Sequence, residues 1–163
     1  DTGTNMSMTI NAAAADLRKV EDPSLEKAAA TAASAMLRGA RGNSGVILSQ
    51  IWRGFARGLD SHPTMDGDTF IKALDEARLT AYKGVVRPVE GTILTVIKDV
   101  AKAGEQAHNM DNIIDFLDHL VKAADVSVIH TPELLPILKQ AGVVDSGGKG
   151  LFFILEGFLK LSS

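Results

Sequence analysis

Apolar residues recur at spacings of three and four along almost the whole chain, and this period limits the fold more than any other feature of the sequence. The pattern is plain in the stretch that carries Phe70, Leu74, Ala77, Ala81 and Val85. No segment alternates with a period of two over the length of a strand. We therefore expect an all-α domain, an antiparallel helical bundle or barrel of seven to eight helices with short connections.

Caps, glycines and prolines predict where these helices begin and end. The first follows the opening residues, and the second has Ser24 as its N-cap. The later ones are expected from about Asn43, across residues 70–85, after Gly91, from Asp111, from Thr131-Pro132-Glu133 to Gly142, and after Gly147-Gly148. The strand-like residues 126–129 are assigned to the end of the sixth helix.

Composition narrows the class of protein further. The chain has 163 residues, which fits a single domain over 1–163, and it has no cysteine for a disulfide or a thiolate metal site. A net charge of −3 argues against nucleic acid as a partner, since phosphate backbones are bound by clustered Lys and Arg. No apolar run approaches the roughly 20 residues of a membrane span. We expect a cytoplasmic protein.

Four connections are richer in Gly, Ser, Thr and Asn than helix capping requires: residues 1–5, 41–45, 90–92 and 145–150. Each precedes a predicted helix, where backbone N–H groups and the helix dipole favour an anion. In an antiparallel bundle the first, third and fifth helices start at the same end. The last helix joins them if the short seventh one is not a full crossing. The pattern predicts a phosphate site at one rim, although each segment alone is typical of an ordinary cap or turn.

Other candidate sites are weaker. Asp66-Gly67-Asp68-Thr69 resembles a small acidic metal site, but it precedes a helix that starts at the opposite end, and we interpret it as a turn with an N-cap. The four histidines share no metal-ligand spacing, and no serine has a histidine and an acid at recognisable offsets. No Walker A loop is present. Arg38 and Arg41 could face phosphate or solvent.

The four polar segments carry a family resemblance. DTGTNM, ARGNSGVILSQ with the following WRGF, RPVEGTIL and VVDSGGKGL resemble, in order and over essentially the whole chain, the nucleotide-binding domain of the dihydroxyacetone kinase family. The most similar branch is the N-terminal ATP-binding domain of bacterial fatty acid kinase. The resemblance implies a barrel of antiparallel helices that binds ATP or ADP with Mg²⁺ at one rim.

The resemblance also implies roles for single residues. Asp1 matches the final aspartate of the family's metal motif and would be a ligand of Mg²⁺. The residues that match nucleotide-contacting segments are Thr2, Gly3, Thr4, Asn5, Asn43, Ser44, Gly45, Gly91, Thr92, Asp145, Ser146 and Gly147. The family's upstream aspartates and the helix before them are not in this sequence. We expect a fragment that binds metal poorly without them, because Mg²⁺ requires several oxygen ligands.

No residue of the sequence is an obvious general base, and no catalytic residue is assigned. The resemblance explains this, because a separate partner protein presents the phosphoryl acceptor. In the fatty acid kinase branch the acceptor is a fatty acid carboxylate, which is already ionised. The alternatives are a dihydroxyacetone-type kinase subunit, a nucleotide-binding regulatory module without turnover, and a helical scaffold without a ligand. A homodimer is also left open.

Overall fold

The computed structural model describes residues 42–59 and 67–162, and the regular structure there is entirely helical. The helices are α1 (Gly42–Gly58), α2 (Gly67–Lys83), α3 (Ile93–Gln106), α4 (Ile113–Ile129), α5 (Thr131–Leu134), α6 (Pro136–Ala141) and α7 (Ser146–Ser162). The prediction of an all-α fold is confirmed. The first two predicted helices lie outside the described residues. None of the described helices is long and apolar enough to cross a bilayer.

Two glycines let α1 and α2 pack closely. A Cβ atom on Gly54 would lie 2.4 Å from the carbonyl oxygen of Glu76, and one on Gly58 would lie 2.5 Å from the Cα atom of Ala73. Only glycine permits backbones to approach this far. Residue numbers rise along α1 as they fall along the facing part of α2, so the two helices are antiparallel. The start of α2, with Asp68 in its first turn, therefore lies at the opposite end from the start of α1, as predicted.

The core lies between α1, α2, α3, α4 and α7. Phe70 of α2 is buried at its centre, where its ring lies 5.2 Å from Phe55 of α1, 5.8 Å from Phe116 of α4 and 6.1 Å from Phe158 of α7. Helix α3 supplies the apolar stripe that its sequence predicts, with Ile93, Val96, Ile97 and Val100 all buried. Helix α3 packs against α2, α4 and α7, and this shared core fixes where the helix starts stand relative to one another.

Away from the candidate site, two helix boundaries differ from the prediction by about two residues. Helix α4 begins at Ile113 rather than at Asp111, because the Oδ1 atom of Asn112 accepts hydrogen bonds from the amides of Ile114 and Asp115 at 2.9 and 3.2 Å and so acts as the N-cap. Helix α2 ends at Lys83, so Val85 lies in the loop that follows. The assignment of residues 126–129 to the end of a helix is confirmed, since α4 continues to Ile129.

The segment between α4 and α7 is less regular than predicted. The expected seventh helix is two short helices, since Leu135 takes an extended conformation (φ −125°, ψ 101°) before Pro136. Thr131 is not an N-cap. Its buried hydroxyl donates to the carbonyl oxygen of Val128 at 2.7 Å. Gly142 ends α6, as predicted, and its φ of +68° is the left-handed conformation typical of a C-terminal glycine. Neither short helix is long enough to cross the bundle.

Candidate functional site

The start of α1 is one side of the candidate site. This helix begins at Gly42, one residue before the predicted Asn43, so Asn43, Ser44 and Gly45 all lie in its first turn. Gly45 is buried and Ser44 is partly exposed. The side chain of Asn43 lies outside the described part of the structure. No acidic residue stands in this first turn, so the positive end of the α1 dipole has no carboxylate of its own helix against it.

The start of α7 meets the start of α1. A Cβ atom on Gly147 would lie 3.0 Å from the Oγ atom of Ser44 and 3.3 Å from the Oδ2 atom of Asp145. Gly147 is buried in this contact. Helix α7 begins at Ser146, so Gly147 and Gly148 lie inside its first turn and not before it as the sequence predicts. Because Gly147 has no side chain, the side chains of Ser44 and Asp145 can both lie against it.

Asp145 joins the start of α3 to the start of α7. Its Oδ2 atom accepts a hydrogen bond from the amide of Gly148 at 2.8 Å, and its carboxylate also accepts one from the amide of Ile93, the first residue of α3. Burial raises the pKa of Asp145, and the two amide hydrogen bonds oppose that rise only in part. The backbone amide of Asp145 donates to the hydroxyl of Thr131, the first residue of α5, at 3.0 Å, and that hydroxyl donates to the carbonyl oxygen of Val128 in the last turn of α4.

The turn before α3 is the third side of the site. Gly91 has φ +86°, and a Cβ atom on it would lie 2.7 Å from the Cβ atom of Leu135 and 2.8 Å from the carbonyl oxygen of Thr131. Thr92 is the N-cap of α3, with its Oγ1 atom accepting from the amide of Leu94 at 3.3 Å. The turn therefore packs against Leu135 and against Thr131, the residue whose hydroxyl accepts from the amide of Asp145.

Three of the four polar segments thus come together, which confirms their predicted convergence. We call this end of the bundle the rim, meaning Ser44–Gly45, Gly91–Thr92 and Asp145–Gly147. Helix α7 starts there because α5 and α6 do not form a full crossing. The fourth segment, Thr2, Gly3, Thr4 and Asn5, lies outside the described residues, as does Asp1. Binding of a ligand by any of these residues stays a prediction.

One part of the physical reasoning from sequence is wrong. It requires open amides at each helix start, but the amides of Ile93 and Gly148 donate to Asp145, and that of Leu94 donates to Thr92. The carboxylate of Asp145 already occupies the position that an anion would take at α3 and α7. Among the described helix starts, α1 is therefore the one best suited to a phosphate group.

Sequence reasoning also misses the side chains that support the rim. The sequence marks Thr131 only as part of a helix start, and it gives no signal for Tyr82, Thr95 or Lys98. The last three contact Glu90, the residue before Gly91. They come from two helices and stand five to eight residues from Glu90, so no local motif links them.

Metal-binding clusters are absent from the described ranges 42–59 and 67–162, where no three His, Cys, Asp or Glu side chains come close enough to hold an ion. His62, Arg38 and Arg41 lie outside those ranges. Asp68 is exposed in the first turn of α2, and Asp66 lies outside the described residues, so the interpretation of this segment as a turn with an N-cap stays a prediction.

The fold and the rim define an all-α domain whose polar helix starts gather at one end. The chain belongs to the DAK2 domain family, part of the dihydroxyacetone kinase family, and residues 1–160 match the family model. Proteins of Staphylococcus epidermidis, Staphylococcus saprophyticus and Staphylococcus aureus, each named only as uncharacterized, are similar to it at 45%, 44% and 44% identity. The match covers 98% of this chain but 29% of each relative, so the chain spans under a third of the length of these proteins.

Proposed function

We propose that this chain is the ATP-binding domain of a Mg²⁺-dependent kinase that transfers the γ-phosphate to a substrate presented by a partner protein. Its membership of the DAK2 family supports the kinase class. The main structural support for the site is that the starts of α1, α3 and α7 meet. Gly147 of α7 lies against Ser44 of α1, and Asp145 holds α3 and α7 together. Of these three starts, that of α1 has no acid in its first turn and so suits an anionic ligand best.

In this proposal the start of α1 binds the phosphate groups. The amides of its first turn and the helix dipole favour negative charge, and the hydroxyl of Ser44 adds a hydrogen-bond donor. The close contact between Ser44 and Gly147 leaves little room for a side chain there, so the phosphates lie against backbone. Gly91 and Thr92 line one side of the nucleotide, and Asp145 and Ser146 line another.

The described residues do not fit a magnesium site by themselves. Asp145 is the one acid among the described rim residues that line the nucleotide, and its carboxylate is engaged with two amides. The proposed ligand is Asp1, on the resemblance of its segment to the family's metal motif. When bound, Mg²⁺ would neutralise charge on the transferring phosphoryl group.

The proposed acceptor is a fatty acid carboxylate on a partner protein. An ionised carboxylate needs no general base, and the described carboxylates at the rim and beside it, those of Asp145 and of Glu90 before Gly91, already accept hydrogen bonds. This observation also suits a nucleotide-binding regulatory module without turnover. A dihydroxyacetone-type kinase subunit is the second enzymatic alternative.

Calorimetry on the full-length native protein tests nucleotide binding. We expect ADP to bind with Mg²⁺ and Ser44→Ala to raise its Kd about tenfold, the scale of a lost hydrogen bond to a charged group. Ser49→Ala is the matched control, because Ser49 lies on the same helix but is buried and donates to the carbonyl oxygen of Val46 at 2.6 Å. Equal affinities of both variants and the native protein would contradict the proposed phosphate site.

Transfer of the γ-phosphate tests the acceptor. We expect ATP consumption with a lipid-carrying partner protein and none with dihydroxyacetone. The reverse result would favour the dihydroxyacetone alternative. Binding of ATP without transfer to either acceptor would favour a regulatory module.

A further inference from the structure

The residue before the rim glycine, Glu90, is held by three side chains. Its Oε2 atom accepts a hydrogen bond from the hydroxyl of Tyr82 at 3.0 Å, and its Oε1 atom accepts one from the hydroxyl of Thr95 at 3.2 Å. The ammonium group of Lys98 also contacts Oε1. Tyr82 lies in the last turn of α2, and Thr95 and Lys98 lie in the first two turns of α3. Glu90 therefore connects the loop to the two helices that flank it.

The same network reaches the backbone of the rim. The hydroxyl of Thr95 donates to Glu90 and accepts a hydrogen bond from the amide of Gly91 at 2.8 Å. Thr95 and Gly91 are both buried, so water does not readily replace either partner. The hydroxyl of Thr95 can donate one hydrogen bond, and it donates that bond to the carboxylate of Glu90. Glu90 thus orients the Thr95 oxygen that holds Gly91 in its left-handed conformation.

Electrostatics keep this network in one protonation state. Burial alone would raise the pKa of Glu90, but the hydrogen bonds from Lys98, Tyr82 and Thr95 together lower it, so its carboxylate is ionised near neutral pH. Burial and the hydrogen bond to Glu90 raise the pKa of Tyr82, which keeps its phenol protonated as a donor. Both oxygens of Glu90 are engaged, which leaves it poorly placed to act as a general base.

We propose that Glu90 is a positioning residue of the nucleotide site, which fixes the Gly91–Thr92 turn through Thr95. This inference rests on the proposed function for its effect on nucleotide affinity. An exposed ion pair between Glu90 and Lys98 alone would contribute little. Glu90 does more than pair with Lys98, because its carboxylate also orients the buried hydroxyl of Thr95, which accepts from the backbone amide of Gly91 in the proposed site.

The test compares nucleotide affinity in four forms of the full-length protein. We expect Glu90→Gln and Thr95→Val each to raise the Kd of ADP about tenfold. The double variant should lose little more than the larger single effect, because both changes release the same turn. The matched control is Asp118→Asn, which removes the exposed ion pair of Asp118 with Lys122 on α4 and should leave the Kd unchanged.

A pair of variants at Lys98 separates positioning from general stability. Lys98→Arg keeps a cation for Glu90 and should retain the affinity, whereas Lys98→Met should weaken it. Urea denaturation of each variant shows whether the fold is intact. Affinity of Glu90→Gln equal to that of Asp118→Asn, or additive effects of Glu90→Gln and Thr95→Val, would overturn the proposal.

Hydrogen exchange at the Gly91 amide gives a readout without nucleotide. We expect this amide to be protected in the native protein and to exchange at least about tenfold faster in Glu90→Gln, because its acceptor is no longer oriented. If the native protein binds no nucleotide but shows this change, the proposed function fails and the role of Glu90 in the turn stands. If exchange is unchanged, the role of Glu90 fails whatever the protein binds.

Discussion

Replacing Gly91 by alanine tests the close packing of the rim against the α5 segment. The added Cβ atom would lie 2.7 Å from that of Leu135, and it must move by roughly 0.8 Å to reach an ordinary carbon–carbon contact. The carbonyl oxygen of Thr131, at 2.8 Å, belongs to the backbone and cannot rotate away. The backbone at Gly91 is also left-handed, with φ +86°, which costs an alanine about 1–2 kcal/mol.

A second glycine provides the control for the left-handed conformation. Gly142 has φ +68°, but no atom of the described chain lies within 4 Å of a Cβ atom built there. Gly142→Ala should cost about 1 kcal/mol, since the left-handed penalty is partly offset by lower entropy of the unfolded chain. Gly91→Ala should cost about 1–3 kcal/mol more, which is the usual range for overpacking.

Urea denaturation followed by far-UV circular dichroism measures both unfolding free energies. The difference between the two variants reports mainly on the contact of Gly91 with Leu135 and Thr131, because both variants place an alanine at a positive φ. Equal losses in the two variants would show that the turn does not pack against α5 as described. A nucleotide titration of Gly91→Ala should also show weaker binding than that of Gly142→Ala, since only Gly91 belongs to the rim.

Two further predictions concern α7 and Asp145. Gly157→Ala should stabilise the protein by about 0.5–1 kcal/mol through helix propensity, because no described atom lies within 4 Å of the added Cβ atom. Gly148→Ala should destabilise the protein, because its added Cβ atom would lie 2.8 Å from a methyl group of Val96. Thermal unfolding compares the two variants, and equal shifts in Tm would contradict the described packing. Burial raises the pKa of Asp145 above 3.8, so its contribution to stability is largest in acid and falls as the pH rises through the raised pKa. As the pH rises through that pKa, Asp145→Asn should therefore gain stability relative to the native protein, as measured by the free energy of unfolding at each pH. A relative loss would show that the amide hydrogen bonds outweigh burial.

The fold could be predicted from the sequence because its main signals are local and repeated. The apolar stripe of α3 and the glycine that ends α6 are each read within a few residues, and the structure has both where they are expected. Two of the errors lie where two local signals compete. Helix α4 starts later than predicted because Asn112, beside Asp111, is an equally good cap. Two short helices replace the one predicted after Thr131, because Pro136 favours an extended conformation at Leu135.

The rim could be predicted only in outline, and Asp145 shows why. The segment 145–150 marks a helix start, and that much follows from its glycines and serine. The sequence does not show that the carboxylate would reach the amide of Ile93, which is more than 50 residues away, and so cap two helices at once. That contact reverses the role of the segment: instead of leaving amides open for an anion, Asp145 occupies them and ties α3 to α7. The first turn of α1 carries no acid, so the proposed function places the phosphate groups there and depends most, among the described residues, on Ser44.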